Sequence, residues 1–368
     1  MDSGSPMLEE WMRQYYFSTR IDIGSSGVEN FSLGDLRAIL GIAQEELDDV
    51  VFHDSSSYGE LNLREAIARR WGNGKAEWVM VTHGSSEAIF LTMNTLLEPG
   101  DEVVVVDPCY HALSSIAKSI GCSLKPWRLS EGFMPNLEGV KNLISSRTRM
   151  VVVNFPHNPT GATLTMQEQG ELIRVVAETN AYLVWDAAFA DLTYDSLPLP
   201  DPTLRYERSI SLGTFSKAYG LPGLRFGWCL AAPEVLANFV HLRDRVTLHL
   251  SPLVEFIAHR VVNGAQRLLD IRLQQARTNL EILTQWAAIH DEDVEWVRPQ
   301  GGVTVFPRLR YLRDAEPFCH DLARDYGILL VPGICFNHPD RVRLGFGGPT
   351  NELEGGLSGL TSLLHLIR

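Results

Sequence analysis

The stretch RMVVVNFPHNPTG, residues 149–161, decides the fold class of this chain. Its first half is a run of apolar, mostly β-branched residues without polar alternation, which is typical of a strand buried on both faces. Three more such runs occupy residues 101–108, 181–189 and 208–217, and a helical pattern lies at residues 166–179. Alternating strands and helices predict a doubly wound α/β sheet.

The pattern changes in the last third of the chain. A long amphipathic stretch at 254–290 is long enough to bridge two domains as one or two helices. Short strands and helices follow it and suit a small α+β domain. We predict an N-terminal arm, with part of the small domain, over residues 1–40, a large domain over 41–270 and a small domain over 271–368.

The composition excludes several classes of partner. The chain has 368 residues, with 32 lysines and arginines against 45 aspartates and glutamates, so its net charge is −13. Such a surface is unsuited to nucleic acid or an anionic membrane, and no apolar run reaches the roughly 18 residues that a membrane span needs. The charge is compatible with a cationic substrate, although solubility alone also explains it.

Cysteine usage points to the cellular compartment. The five cysteines are scattered and odd in number, and none forms a CxxC pair. This usage indicates a reducing environment and gives no sign of a disulfide framework or a structural metal site. The first 16 residues are acidic and lack the apolar core of a signal peptide. We therefore expect a soluble, cytoplasmic protein without a bound metal.

Polar or aromatic residues follow each predicted strand of the sheet. Ligands of open α/β sheets bind beyond the carboxyl ends of the strands, so these residues are expected to share one site. Each residue alone has an ordinary explanation, such as a helix cap, a turn or a solvated lysine, and their joint placement makes the case. The residues are Ser85, Ser86, Tyr110, Asn158, Asp186, Thr214, Ser216, Lys217 and Arg225.

These groups together suit pyridoxal 5′-phosphate (PLP). Lys217 can form an imine with the aldehyde, and Arg225 with the neighbouring hydroxyls can hold the dianionic phosphate. Asp186 can pair with the protonated ring nitrogen and so maintain the electron sink. Asn158 can donate to the ring hydroxyl, and Tyr110 can stack on the ring face. The residues therefore predict PLP as the cofactor.

The chain resembles the fold type I PLP-dependent enzymes of the class I/II aminotransferase group over nearly its whole length. Four motifs fall in the family's order: HNPTG at 157–161, SK at 216–217 followed by an arginine eight residues after the lysine, PQGGVTVFP at 299–307 and RVRLGFG at 341–347. The resemblance implies a large domain with a mixed, mostly parallel sheet between helices, a small α+β domain, and a homodimer.

The resemblance also implies a role for each matching residue. Lys217 becomes the Schiff-base lysine, Asp186 the pyridinium partner and Asn158 the donor to the ring hydroxyl. Tyr110 becomes the stacking ring, and Arg343 of RVRLGFG binds the substrate α-carboxylate as a bidentate fork. The implied phosphate ligands are Ser85, Ser86, Thr214, Ser216 and Arg225.

Two positions depart from the family pattern. The family usually has a tyrosine three residues after the aspartate, and this chain has Phe189, which has no donor for the ring hydroxyl. The loss of that donor predicts a raised imine pKa, unless Phe189 only packs against the ring. The segment that should reach a partner subunit contains His53, Asp54 and Tyr58, and the sequence does not choose among them.

A narrower resemblance concerns the reaction. HGSSEA, WDAAFADL and LSPLVE, with the motifs above, are similar to capreomycidine synthase-like hydroxyarginine cyclases. This implies PLP-dependent dehydration and cyclisation of a hydroxylated L-arginine, with the leaving hydroxyl on Cβ or Cγ, to a cyclic guanidine amino acid of capreomycidine or enduracididine type in specialised metabolism. The alternative enzyme is an aminotransferase for a basic or aromatic amino acid, and a binding module that keeps the fold is a third possibility.

The substrate guanidinium needs a carboxylate partner. Glu9, Glu10, Asp54 and Asp191 are candidates, and Glu9 is preferred because N-terminal segments in this group tend to close over the site. The segment IGSSGVENF at 23–31 is expected to line the substrate entrance, with Ser25 and Ser26 near the α-carbon or the hydroxyl.

Overall fold

The computed structural model describes residues 6–367 and contains strands in one large sheet and several small ones. The strands are β1 (Ile21–Asp22), β2 (Val79–Thr82), β3 (Glu102–Asp107), β4 (Ser123–Arg128), β5 (Thr148–Asn154), β6 (Tyr182–Asp186), β7 (Ser209–Thr214), β8 (Gly227–Leu230), β9 (Val294–Glu295), β10 (Thr304–Val305), β11 (Arg308–Leu309), β12 (Ile328–Leu329), β13 (Val331–Pro332) and β14 (Val342–Gly345).

Helices cover the sheets and connect the strands. The α-helices are α1 (Met7–Tyr15), α2 (Leu33–Leu40), α3 (Gln44–Asp48), α4 (Leu61–Trp71), α5 (Gly84–Leu96), α6 (Ala112–Ile120), α7 (Leu137–Leu143), α8 (Met166–Glu178), α9 (Pro233–Arg243), α10 (Pro252–Ile289), α11 (Glu316–Tyr326) and α12 (Thr350–Ile367). Short 3₁₀ turns lie at Ala76–Trp78, Glu131–Phe133, Pro202–Leu204, Pro222–Leu224 and Gly333–Phe336.

The large sheet has seven strands in the order β2-β8-β7-β6-β5-β3-β4. β8 runs antiparallel to both of its neighbours, and every other neighbouring pair is parallel. The four apolar runs of the sequence form β3, β5, β6 and β7, which lie side by side. The predicted mixed, mostly parallel sheet between helices is confirmed.

Strand β5 shows why these runs lack polar alternation. Met150 and Val152 belong to a core that includes residues of α5, α6 and α9. Val151 and Val153, which point to the other face, belong to a core that includes residues of α7 and α8. Because both faces are covered by helices, the central residues of the strand, 150–153, are all apolar.

The N-terminal arm pairs with the C-terminal part of the chain. β1 lies parallel to β12, with Ile21 opposite Ile328. The amphipathic stretch forms one helix, α10, of 38 residues, and the predicted boundary between residues 270 and 271 falls inside it. The division into an arm and two domains stays a prediction, and residues 1–5 and 368 of it lie outside the described part.

All five cysteines are free thiols. None of the helices described in residues 6–367 combines the length and the apolar character that crossing a membrane requires. The cytoplasmic location stays a prediction from the sequence.

Candidate active site

A cavity of about 1160 Å³ lies at the carboxyl ends of β5, β6 and β7. It brings together all the residues that the sequence analysis assigned to the cofactor and the substrate. They are Glu9, Ser25, Ser26, Ser85, Ser86, Tyr110, Asn158, Asp186, Phe189, Thr214, Ser216, Lys217, Arg225 and Arg343. The strands place some of these side chains, and segments remote in sequence place the others.

Lys217 lies just beyond β7 and extends into the cavity. Its Nζ donates to Oγ of Ser26 at 2.9 Å. Removal from bulk water lowers the pKa of this amine to about 8, and the positive charge of Arg343 adds to the effect, while the charges of Glu9 and Asp186 oppose it. A larger fraction of the amine is therefore neutral near pH 7 than for an ordinary lysine, and the neutral form is the nucleophile.

Asp186 is the last residue of β6 and is 5% exposed. Its Oδ1 accepts the backbone N–H of Ala188 at 3.1 Å. Its Oδ2 makes no hydrogen bond with any residue of the described chain. Burial raises the pKa of this carboxyl to about 6, and the N–H of Ala188 and the charge of Lys217 offset only part of this effect. A cationic ring nitrogen would supply the missing partner.

Asn154, which the sequence analysis missed, connects Asp186 to Asn158. It ends β5, its Nδ2 donates to the carbonyl of Asp186 at 2.9 Å, and its Oδ1 accepts the N–H of Asn158 at 2.9 Å. Both of these residues line the cavity. A polar residue that closes an otherwise apolar strand is the signal that could have identified Asn154 as a positioning residue.

The N-terminus of α5 forms an anion cradle with Arg225. A Cβ at Gly84 would lie 2.6 Å from Nη2 of Arg225, so the guanidinium packs directly on a backbone without side chain. A Cβ at Gly227 would lie 2.7 Å from the N atom of Ser85, so the start of the helix packs equally closely on β8. The free N–H groups at a helix start and a guanidinium together suit a dianionic phosphate.

Hydroxyl groups complete this cradle. Ser85, Ser86, Thr214 and Ser216 all line the cavity. The Oγ1 of Thr214 lies 3.0 Å from Oγ of Ser216 and 3.1 Å from the carbonyl of Phe226. Because a hydroxyl has one proton, Thr214 either donates it within the protein or offers it to a ligand.

The opposite side of the cavity is formed by the N-terminal segment. Oε1 of Glu9, on α1, accepts the hydroxyl of Tyr110 at 3.2 Å. The indole of Trp11 donates to the carbonyl of Leu330 at 3.0 Å and fixes α1 on the C-terminal part of the chain. Burial, then the charge of Glu9, raises the pKa of Tyr110, which keeps its phenol protonated.

Arg343 lies on β14 and is 2% exposed. Its Nε and Nη2 donate to the carbonyl of Gly24 at 3.1 and 2.9 Å, and its Nη1 lies 3.4 Å from Oδ1 of Asn158. Burial lowers its pKa to about 10, and it makes no ion pair with a carboxylate in the described residues. A charged guanidinium with no anion beside it suits the substrate carboxylate.

The four carboxylates considered as partners of the substrate guanidinium differ in where they lie relative to the cavity. Glu9 lines the cavity and makes no ion pair within the described part of the chain. Glu10 is exposed, and Asp54 is exposed beside His249. Asp191 lies outside the cavity lining and accepts the indole of Trp71 at 3.1 Å. The structure therefore brings only Glu9 of these four to the other site residues.

Three further carboxylates line the cavity and were not anticipated. They are Asp22, Glu29 and Glu352. Each of them is occupied within the protein. Asp22 accepts the N–H of Gly24 at 2.9 Å, Glu29 is paired with Arg272 at 3.2 Å, and Glu352 accepts the N–H of Asp22 at 3.0 Å. Glu9 also accepts a hydrogen bond, from Tyr110, but its charge acts on both Lys217 and Arg343, so it faces the two cationic residues of the site.

The segment expected to reach a partner subunit lies away from this cavity. His53 and Asp54 are exposed, and Nε2 of His249 lies 3.2 Å from Oδ1 of Asp54. The ring of Tyr58 lies under the guanidinium of Arg64, 5.4 Å from its centroid. The choice among the three residues stays open.

Phe189 is 3% exposed and lines the cavity beside Asp186. It lies near Gly302, where a Cβ would be 3.8 Å from its Cδ1. Its ring brings no hydrogen-bond donor to this part of the site. Both explanations from the sequence, a missing donor and simple packing against the ring, are compatible with this position.

Comparison with known proteins gives a consistent set of relatives. The model of the family described as "Aminotransferase class I and II" matches residues 29–360. The chain is 45% identical over 361 residues to capreomycidine synthase from Streptomyces vinaceus, which covers 97% of this chain and 93% of that protein. It is 26% identical over 316 residues to an aspartate aminotransferase from Thermotoga maritima, covering 83% of this chain and 82% of that one.

Solved structures are similar over the whole chain. The PLP-dependent cyclase OrfR superposes with a TM-score of 0.95 at 43% identity, covering 99% of this chain and 97% of that one. A PLP-dependent aminotransferase from Streptococcus suis superposes with a TM-score of 0.95 at 28% identity, covering 100% and 99%. The same backbone therefore occurs in a cyclase and in an aminotransferase.

Proposed function

The chain belongs to the aminotransferase class I and II family, and from that premise we propose that it dehydrates and cyclises a hydroxylated L-arginine to a cyclic guanidine amino acid. The observation that carries the proposal is the 45% identity to a capreomycidine synthase over 97% of the chain. The family and the fold type I architecture predicted from the sequence are confirmed, and the chain is a PLP-dependent enzyme.

The residues present fit PLP as the cofactor. Asp186 is a buried carboxylate that makes no ion pair in residues 6–367, and the amine of Lys217 has a lowered pKa. At the start of α5, Gly84 leaves room for the guanidinium of Arg225 beside the helix backbone. In our proposal Lys217 would hold the aldehyde carbon, Asp186 would pair with the ring nitrogen and Arg225 would bind the phosphate. The roles of Asn158 and Tyr110 follow the sequence prediction. When bound, PLP supplies an electron sink for the negative charge that develops at the substrate α-carbon.

Two charged residues would orient the substrate. Arg343 binds the α-carboxylate, and Glu9 binds the guanidinium at the far end of the side chain. The charge of Glu9 acts on both Lys217 and Arg343, so the acidic and basic groups belong to one electrostatic environment. A substrate with a carboxylate at one end and a guanidinium at the other complements this arrangement.

Proton transfer falls to Lys217. Its Nζ takes the proton from the α-carbon, and the same group can deliver a proton to the departing hydroxyl oxygen. Ser26, which accepts the Nζ hydrogen bond at 2.9 Å, helps to fix the amine. The guanidino nitrogen then closes the ring, so that one water is lost and all nitrogens are kept.

One experiment separates this reaction from its alternative. The purified PLP-loaded protein is incubated with L-arginine and with each hydroxyarginine isomer, with and without 2-oxoglutarate. A product that has lost one water and kept every nitrogen, formed without 2-oxoglutarate, supports the cyclase. Stoichiometric glutamate from 2-oxoglutarate without such a product would show that the cyclase proposal is wrong.

The second candidate is an aminotransferase for a basic or aromatic amino acid. It is supported by the likeness to an aspartate aminotransferase at 26% identity and to a PLP-dependent aminotransferase structure at 28%. These values lie well below the 45% and 43% identities to a capreomycidine synthase and a PLP-dependent cyclase. The cyclase is therefore the better supported function.

The chain is also proposed to act as a homodimer. Phe52 is 74% exposed, Val246 is 63% exposed and Leu248 is 54% exposed. Phe52 lies on one loop, and Val246 and Leu248 lie on another. The loops are neighbours, because buried Arg243, at the end of α9, donates to the carbonyl of Ser57 at 2.6 Å. An exposed apolar patch of this kind suits an interface. Analytical ultracentrifugation of the wild type and of Phe52→Glu tests it, since a variant as dimeric as the wild type would exclude this patch.

A further inference from the structure

His111 is the residue that precedes α6, and it lines the cavity beside Tyr110. The two rings meet edge to face, with centroids 4.6 Å apart. The hydroxyl of the same tyrosine donates to Glu9 at 3.2 Å. Glu9, Tyr110 and His111 therefore form one corner of the cavity, which we call the acidic corner.

The ring nitrogens of His111 have no partner in the described chain. Nδ1 is shielded from solvent and unpaired, and no residue of 6–367 hydrogen-bonds to Nε2. Unpaired buried polar atoms are rare, because each forfeits its hydrogen bonds to water. His157 shows the usual arrangement, with Nε2 at 2.7 Å from the carbonyl of Pro108 and Nδ1 at 2.8 Å from Thr160. His111 differs from His157 in that neither ring nitrogen is engaged by another residue of 6–367, and because His111 lines the cavity, Nε2 is the nitrogen left for a ligand.

The surroundings of His111 favour a neutral imidazole that can accept a proton. Burial lowers its pKa, and the charge of Glu9 acts in the opposite direction. The same carboxylate is the group that our proposed function assigns to the substrate guanidinium. A guanidinium held by Glu9 therefore lies in the corner that His111 lines.

We propose that His111 is the general base for ring closure and accepts the proton that the attacking guanidino nitrogen must lose. This inference rests on the proposed function and names a second proton-transfer group for it. A protonated guanidinium is a poor nucleophile, and Lys217 is engaged at the α-carbon. The reaction therefore requires a base at the other end of the substrate.

The proton balance of this step is closed. The C–O bond to the hydroxyl breaks, and the oxygen leaves as water with one added proton. The new C–N bond forms at the side chain of the dehydrated substrate, and the proton released by nitrogen passes to the imidazole of His111. His111 then releases its proton to solvent, Lys217 takes one up from solvent, and Lys217 returns it to the α-carbon. The substrate loses one water overall, both bases are restored, and no oxidant or reductant is needed.

His111→Gln tests the proposal in the PLP-loaded enzyme. Dehydrated substrate that does not cyclise hydrolyses to ammonium and 2-oxo-5-guanidinopentanoate. We expect the ratio of cyclic product to ammonium to fall by about 100-fold or more, the usual contribution of a general base. Consumption of the hydroxyarginine should continue. His241→Gln is the matched control, because His241 is exposed on α9 and outside the cavity, and its ratio should equal that of the wild type.

Each outcome has a separate meaning. If the wild type cyclises hydroxyarginine and His111→Gln gives the same product ratio, the His111 proposal is wrong and the proposed function stands. If the wild type forms no cyclic product, the proposed function is wrong and this inference falls with it. Melting temperature and PLP absorbance are measured for both variants. If His111→Gln and His111→Asn both lose the fold or the cofactor, the residue is structural and the proposal is overturned.

Discussion

The two sides of the cavity differ in how the chain builds them. The cofactor side, formed by Asn158, Asp186, Lys217 and Arg225, lies at strand ends within the residues 29–360 that match the family. The substrate side, formed by α1 and the segment 22–31, lies almost wholly before residue 29. The likeness to capreomycidine synthase reaches into this region, because it covers 97% of the chain. We propose that the cofactor side carries the chemistry common to the family and that the substrate side contributes to the choice of reaction.

Replacing Lys217 tests the cofactor side with the largest expected effect. Lys217→Ala should reduce turnover of every substrate by at least about 10⁴-fold, because the imine-forming amine and the base at the α-carbon are lost together. Lys118→Ala, on the exposed face of α6, is the control. Borohydride reduction of the wild type should place the pyridoxyl label on the peptide of Lys217, and a label on any other residue would contradict the assignment.

Asp186→Asn, also on the cofactor side, should have opposite effects on turnover and on the stability of the folded chain. Turnover should fall by roughly 10²- to 10⁴-fold, the range of one lost electrostatic partner. The cofactor-free variant should nevertheless be more stable than the wild type by about 3 kcal/mol at pH 7, since no buried carboxylate has to ionise.

The stability difference between Asp186→Asn and the wild type should depend on pH. The pKa of Asp186 in the folded chain is about 6, above its ordinary value of 3.8. Below pH 3.8 the group is protonated in the folded and unfolded chain alike, and the two proteins should be equally stable. As the pH rises from about 4 to 6, the free energy of unfolding of the wild type should fall relative to that of Asp186→Asn, because the unfolded chain ionises Asp186 first. Urea unfolding of the cofactor-free proteins measures this, and a destabilised variant at pH 7 would refute the account.

Glu9→Gln tests the substrate side. The loss of a charged hydrogen-bond partner should weaken binding of hydroxyarginine by about ten- to 100-fold, while PLP binding and its absorption spectrum stay unchanged. Glu10→Gln is the matched control, because Glu10 is the next residue in the chain and its carboxylate is exposed. Equal effects of the two substitutions on KM would exclude Glu9 as the guanidinium partner.

Phe189→Tyr gives the smallest expected effect and lies between the two sides. A phenol at this position adds a hydrogen bond to the ring hydroxyl of the cofactor, which favours the deprotonated form. The pKa of the visible-absorption titration of the PLP-bound enzyme should fall by less than about one unit. An unchanged titration would show that Phe189 only packs against the ring.

The same division explains how much the sequence could predict. The strands, and the polar residues that end them, follow from local patterns, so the sequence alone predicts the positions of Asp186 and Lys217 at the site. Contacts on the substrate side join residues far apart in the chain. Glu9 meets Tyr110 across 101 positions, and Ser26 meets Lys217 across 191. No periodicity encodes such pairs.

Asn154 and His111 show a second limit. The sequence shows Asn154 as a polar residue that ends an apolar strand, but its positioning role rests on two hydrogen bonds, one to each of two cofactor-side residues. His111 is recognised through the absence of partners at its ring. Both properties require atomic positions, because a sequence shows which polar groups exist and not which of them are satisfied.

The unbroken helix α10 limits how the enzyme can open. A helix of 38 residues is about 57 Å long, and it acts as a strut that crosses the predicted boundary between the domains. A continuous helix does not provide a hinge at its midpoint. The entrance is held by other contacts, because α1 is tethered there by Trp11 and by the contact of Tyr15 with His320. Release of that tether would uncover Glu9 without moving the cofactor.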